Sequence, residues 1–269
     1  EAIAWLASAT DHGLDANVSA EIAREAIARG VAHDVVHGHD DEVHWVEPLP
    51  GAGSGAFVTG GYDGRALVWI GSPPIARVVY TAKQGRVHAV RPSPDGRELA
   101  IGGDNGSLNV VSPDGHVLAT LTGHVGDVQH LVWSPDGAWL VTGDDHGNTF
   151  AWPHGRAPAL ALPAAPPAAI GDVQFAVTGA AVAGGDHAGN IWLWDLPSGA
   201  AHTAHVGAGV NTVWTDGTHV GEVDDTGVVR TFHVAGAALA LDTAVPTGFE
   251  IKRAAFEHGG RWVVLGGVG

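Results

Sequence analysis

The chain has 269 residues, 45% hydrophobic and 16% charged, with 40 Gly and 15 Pro. That is a turn-rich globular composition, long enough for one sizeable core and without the charge density of a disordered segment. Thirteen Lys and Arg against 29 Asp and Glu give a formal net charge of -16, a field that repels nucleic-acid phosphates and anionic lipid and argues against both as partners. Cys is absent, which removes disulfides, thiolate metal sites and a cysteine nucleophile. No secretory apolar segment and no run of membrane-spanning length occurs, so a cytoplasmic location is the expectation. Met is also absent and the chain opens inside what reads as a helix, so the expectation is a piece of a longer polypeptide.

Residues 1–31 form a lead-in of two short helices, "EAIAWLASAT" and "SAEIAREAIARG". Ile22, Ala26 and Ile27 share one face of the second, Ser19 is placed as its N-cap, Glu21 and Glu25 fall in its first turns and Gly30 ends it. From residue 32 to 269 the pattern changes to strand-length apolar runs punctuated by turn residues. "HDVVHGHDDEVH" then gathers His33, His37, His39 and His44 around Asp40 and Asp41. Such side chains bind Zn2+, but strand alternation sends neighbours to opposite faces, so no metal site is assigned there. "GAGSG" at 51–55 has no Gly-Lys-Ser/Thr and no strand-to-helix elbow after it, and reads as a long hairpin loop rather than a phosphate cradle or nucleophile turn.

The stretch "GHVGDVQHLVWSPDGAWLVTGDDHGNTFAW", Gly123 to Trp152, restates an organisation found along the rest of the chain. Aligning the apolar residue that opens each first strand gives Val43, Val87, Val128, Val173, Val210 and Ile251, with spacings of 44, 41, 45, 37 and 41. A period of about 40 residues with several short strands per unit is that of a β-propeller. "SPDG" at Ser93–Gly96 and Ser134–Gly137, "TDG" at Thr215–Gly217 and "EHGG" at Glu257–Gly260 supply hairpin turns. With "HVLATL" just before Gly123, each unit has four strands, a sheet that must stack on its neighbours to bury both faces. "DDHGN" and "DHAGN", at Asp144–Asn148 and Asp186–Asn190, pair Asp with His but read as turns rather than as acid–base pairs. The tract "PHGRAPALALPAAPPAA" reads as a stiff connection between units. Five units run to completion. A sixth has strands near Ala238–Asp242, Ile251–Phe256 and Trp262–Leu265 and no last strand, so further chain beyond Gly269 or a partner in trans is expected to cover it.

Gly38-His39 with Trp69, Gly123-His124 with Trp152, and Trp194-Asp195 resemble the signature of the WD40 family, and the resemblance runs from about Ala32 to Gly269. It implies an all-β, WD40-type propeller in which Ala32–Val36 pairs as the outer strand of the last blade. It also implies a buried Trp–Thr–His–Asp network, satisfied because indole only donates, a hydroxyl relays and imidazole passes the chain to a carboxylate. Unit one carries the full set, His39, Thr59, Asp63 and Trp69. Unit three carries His124, Thr142 and Trp152 but has His146 at the Asp position, leaving Asp144 or Asp145 as substitutes. Units two, four and five place Ile101, Asn105 and Val111; Gly184 and Ala188; and Glu222, Thr226 and Phe232 there, and are expected to rest on packing and turns.

The resemblance further implies a non-catalytic scaffold or sensor that binds a protein or peptide, of basic character, on the rim of the central channel. The rim positions flank the opening residue of each first strand: Glu42 and His44, Arg86 and His88, Asp127 and Gln129, Asp172 and Gln174, Gly209 and Asn211, and Glu250 and Lys252. No enzyme activity and no cofactor are expected. The lead-in resembles the helical run before WD40 repeats in bacterial STAND NTPases and in caspase-like or kinase fusions, giving the alternative of a regulatory arm of such an effector. A metal-dependent hydrolase built on His33–His44 is the third reading.

Overall fold

In a computed structural model of the chain, residues 36–53, 55–162, 168–176, 178–196, 198–248, 250–256 and 263–268 are described; the helical lead-in, the closing strand expected at Ala32–Val36 except its last residue, and the "EHGG" turn lie outside them. What the sequence reads as repeated strands are five four-stranded antiparallel blades and the first half of a sixth. Blade one comprises β1 (Val43–Pro48), β2 (Phe57–Gly61), β3 (Arg65–Ile70) and β4 (Ile75–Thr81); blade two β5 (Val87–Pro92), β6 (Leu99–Gly103), β7 (Leu108–Val111) and β8 (Val117–Leu121). Blade three comprises β9 (Val128–Trp133), β10 (Trp139–Asp144), β11 (Thr149–Pro153) and β12 (Leu160–Leu162); blade four β13 (Ile170–Phe175), β14 (Ala181–Asp186), β15 (Asn190–Asp195) and β16 (Ala200–His205). Blade five has β17 (Val210–Thr215), β18 (His219–Asp224), β19 (Val228–Ala235) and β20 (Ala238–Pro246), and β21 (Glu250–Phe256) with β22 (Val263–Val268) opens the sixth.

The sequence unit and the blade are offset by one strand. "HVLATL" is β8, which pairs with β7 of blade two, and Ala238–Asp242 lies in β20, paired with β19 of blade five. Short hairpins force each strand onto the one before it, so every outer strand completes the preceding blade rather than opening its own. The Pro/Ala-rich tract likewise is not wholly a connection: Leu160–Leu162 within it pairs with Thr149–Ala151 as an outer strand.

The cores sit between blades. Val58 and Val68 of blade one pack with Val87, Leu99 and Ile101 of blade two; Leu108 and Val110 of blade two meet Leu131, Leu140 and Trp152 of blade three. Val141 and Leu162 meet Ile170, Trp192 and Trp194, and Ala183, Ile191 and Leu193 meet Val213, Val220 and Phe232 of blade five. This alternation is why the second and third strands of blades one to four are mostly buried while the outer strand β4 leaves Ile75 and Val78 exposed: a middle strand has a blade on each face. Serine and aspartate lock the first hairpins. Ser93 Oγ–H donates to Asp95 (2.7 Å) and Ser134 Oγ–H to Asp136 (2.6 Å), and each hydroxyl oxygen accepts the amide of the residue five positions on.

Register corrects the alignment of unit four. Each first strand opens opposite the last residue of the second, with a bulge immediately after: Val43 faces Gly61, Val87 faces Gly103, Val128 faces Asp144 and Val210 faces Asp224. In blade four the residue in that place is Ile170, facing Asp186. Val173 lies three positions later. The apolar run "AAIGDVQF" offered two candidates, and only pairing distinguishes them.

Candidate functional site at the rim

Blade one realises its polar network through single bonds. Trp69 Nε1–H donates to Thr59 Oγ1 at 2.9 Å, Thr59 lies 2.7 Å from His39 Nε2, and His39 Nδ1 is 3.0 Å from Asp63 Oδ1. Because indole can only donate, the threonine hydroxyl gives its proton to Nε2, and His39 carries its own on Nδ1 for Asp63. Burial would raise the Asp63 carboxyl, but bonds from His39 and from the amides of Asp40 and Arg65 hold it down at about 2.

Blade three repeats the arrangement with a different acid. Trp152 donates to Thr142 (2.9 Å), which lies 2.7 Å from His124 Nε2, and His124 Nδ1 reaches Asp144 Oδ2 at 2.9 Å. His146, in the position corresponding to Asp63, is exposed. Asp144 occupies the place of Gly61, two residues earlier, and its other oxygen accepts the amides of His146 and Asn148. Asp186 and Asp224 do the same for the amides two and four residues on. The shared spacing Asp-x-x-Gly, at Asp144–Gly147, Asp186–Gly189 and Asp224–Gly227, is the sequence signal that marks these turn-capping acids.

Blades two and four lack the network and rest on packing, Ile101 against neighbouring apolar side chains and Gly184 beneath the Trp194 ring. Blade five does not. Arg230 Nη1 lies 2.6 Å from both Glu222 Oε1 and Asp224 Oδ2, and both carboxylates are fully buried. The sequence reading missed this triad because the arginine stands two residues before Phe232, outside the signature positions.

On the rim face the first-strand flanks fall into three groups. Glu42, His44, Arg86 and Asp127 border the surface of blades one to three. His44 stacks on Tyr62 at 4.9 Å between centroids, and the Arg86 guanidinium lies over the same ring at 4.9 Å. Burial, then Glu42, push the Tyr62 hydroxyl up. His88 is buried, turned into the seam between blades two and three, and Gln129 is half-buried. Asn211 Nδ2–H bonds the Ile251 carbonyl at 3.2 Å and so joins blade five to β21. Asp172 and Gln174 are not flanks: the register makes Ala169 and Gly171 the residues beside Ile170. Asp172 instead accepts the Thr212 hydroxyl at 2.7 Å and the Val213 amide at 3.1 Å from blade five, and burial raises its pKa. The side chains of Glu250 and Lys252 lie outside the described ones. His33 does too; His37 is exposed, His39 is held by its blade, and among the described residues these histidines form no common ligand set.

Acids on this face are linked through backbone amides from one turn to the next. The Arg86 amide donates to Asp104 at 3.0 Å, the Asn105 amide to Asp127 at 2.9 Å, and the Asp127 amide to Asp145 at 2.8 Å. Three carboxylates are thereby set in fixed order across blades two and three.

A family model described as "WD domain, G-beta repeat" matches residues 76–112 and 113–152. The first match begins in the outer strand β4 and ends just past the third strand β7, and the second begins in the turn before the outer strand β8 and ends in the third strand β11, the same one-strand offset seen in the fold. A chain in the crystal structure of a mitotic checkpoint complex superposes with a TM-score of 0.71 at 18% identity, covering 86% of this chain and 73% of that one. Sqt1 from Chaetomium thermophilum gives 0.73 at 19% identity, covering 86% and 70%. Residues 76–152 match two WD40 repeats, and the described chain has the fold of a WD40-type β-propeller. A stretch of 75 residues is also 35% identical to the 66 kDa stress protein of Physarum polycephalum, spanning 27% of this chain and 12% of that relative. Within the WD40 frame, blades one and three use the Trp–Thr–His–Asp network and blade five replaces it with an ion triad. No helix among the described residues is long and apolar enough to cross a membrane.

Proposed function

We propose that the propeller is a non-catalytic interaction module whose rim over blades one to three binds a protein or peptide bearing Lys or Arg. The observation that carries this reading is the run Asp104, Asp127, Asp145, whose orientation is fixed by main-chain donors. Acids held this way present a charged groove with little ordering cost on binding, and a cationic partner is steered by the chain's net charge of -16. Exposed Glu42-side residues and the Tyr62–His44 stack supply flat contact area beside the acids. WD40 propellers commonly serve as protein-binding scaffolds, which supports the class of partner.

The test is selection of binding peptides from a random library displayed against the whole chain. Enriched sequences are expected to be basic, to weaken at least tenfold between low and physiological salt, and to lose binding to Glu42→Lys and Asp145→Lys but not to Asp114→Lys, which lies in a turn on the opposite face. Peptides that are neutral, or indifferent to both rim substitutions, would remove the proposal.

A further inference from the structure

Under the rim, where blades two and three meet, Asp104 and Asp127 of the acidic run also converge on His88, a residue that neither the polar networks nor peptide binding uses. His88 is only 4% exposed. Its Nε2 lies 2.5 Å from Asp104 Oδ1 and 3.6 Å from Asp127 Oδ2, and one ligand atom from each of the three residues lies within 4.8 Å of the others. Each carboxylate has its second oxygen occupied by a backbone amide: Asp104 Oδ2 by Arg86 and Asp127 Oδ1 by Asn105. The remaining oxygens and the imidazole nitrogen therefore point into one space, and the amide bonds hold them there.

The proton count is unbalanced. A neutral imidazole offers Nε2 a single hydrogen, and at 2.5 Å it belongs to Asp104. At 3.6 Å Asp127 Oδ2 has no hydrogen bond from that nitrogen, although it faces the same point. One divalent cation in place of that hydrogen would serve all three atoms. The neighbouring cation, Arg86, is engaged over the Tyr62 ring, while Asp145, bonded to the Asp127 amide, adds a further carboxylate nearby.

We propose that His88, Asp104 and Asp127 form a divalent transition-metal site of the Zn2+ class, with a fourth position open towards the rim. An imidazole nitrogen with two carboxylate oxygens suits zinc and its first-row neighbours rather than Mg2+ or Ca2+, which prefer oxygen-only sets. Bonds of about 2.0–2.2 Å require the His88–Asp104 contact to open to roughly 3–3.5 Å, a side-chain movement of under an ångström. The amide donors then act as the outer partners that orient metal ligands. Since His88 and Asp104 belong to blade two and Asp127 to the loop entering blade three, the ion staples the two blades together. The proposal stands whether or not the rim binds a peptide.

The test uses the whole chain, stripped with chelator and titrated with Zn2+ alone by calorimetry and equilibrium dialysis, with Co2+ absorption reporting coordination. One equivalent is expected to bind, at least tenfold weaker in His88→Gln and in Asp127→Asn, and unchanged in His37→Gln and His116→Gln, which remove exposed histidines elsewhere. Mg2+ at the same concentration should give no binding. Asn at 127 keeps an oxygen for the Asn105 amide, so it serves if His88→Gln does not fold. No stoichiometric uptake by the wild-type chain, or uptake unchanged in Asp127→Asn, would overturn the site.

Discussion

Blade three joins Trp152, Thr142, His124 and Asp144 by a chain of single hydrogen bonds, whereas blade five, in the same register, joins Glu222, Arg230 and Asp224 through one guanidinium. The correspondence is residue for residue. Thr142 faces Phe150 across its hairpin and Glu222 faces Arg230. In blade three every donor has one acceptor, and the relay runs out of the sheet to His124, tying the loop before β9 to the second strand. In blade five the interaction stays inside strands two and three, and Glu222 Oε2 is buried with no partner among the described residues. The same backbone thus tolerates either a relay of neutral donors that ends on one carboxylate or a guanidinium set between two, provided the polar atoms meet within the blade.

Substitutions can break that comparison. Trp152→Ala and Arg230→Leu should each cost about 3–5 kcal/mol in denaturant unfolding, the first by opening a cavity and the second by leaving two buried carboxylates uncompensated. They separate on rescue: adding Glu222→Leu and Asp224→Asn to Arg230→Leu should recover most of the loss, because apolar replacement of a whole buried ion set is often close to neutral. Failure of that rescue would mean the triad does more than satisfy its own charges. Thr142→Val leaves the Trp152 indole and His124 Nε2 without an oxygen and should cost about 1–3 kcal/mol, less than loss of Arg230. In blade four, Gly184→Ala drives a methyl into the Trp194 ring and should cost about 1–3 kcal/mol by overpacking, whereas a threonine network would have required a side chain at that position.

The two blades should also answer pH with opposite sign. Burial, opposed by Arg230 and aided by Asp224, pushes Glu222 up from 4.5 to about 7. The folded chain therefore holds a proton that the unfolded chain has released, and stability falls as pH rises from about 4.5 towards 7. Asp144 is buried too, but bonds from His124 and Asn148 outweigh burial and hold it well below 3.8. Its contribution is present above about 4 and is lost as pH falls further. Stability curves of Glu222→Gln should lose the first slope and those of Asp144→Asn the second; a Glu222→Gln curve parallel to the wild type would contradict the buried-acid reading.

Much of this was legible in the residues. The period, the "SPDG" turns and the Trp–Thr–His spacing of units one and three announce short strands in repeated sheets, because they reflect local turn chemistry and fixed distances along a strand. Less legible was which acid completes blade three, since Asp144, Asp145 and His146 are adjacent and only the bulge opposite Val128 decides which reaches His124. The slip in unit four has the same origin: Ile170 and Val173 are both apolar, and cross-strand pairing chose between them, taking Asp172 off the rim and giving it to Thr212.

Sequence alone determined the repeat period, the β character of the chain, the hairpin turns and the acidity of the molecule, since each depends on neighbours within a few residues or on composition. Tertiary structure alone decided that repeat and blade are offset by one strand, that Arg230 sits between two acids, and that His88, Asp104 and Asp127 converge. Those groups are brought together by register between strands and by the packing of one blade on the next, and neither is fixed until every neighbouring sheet is in place.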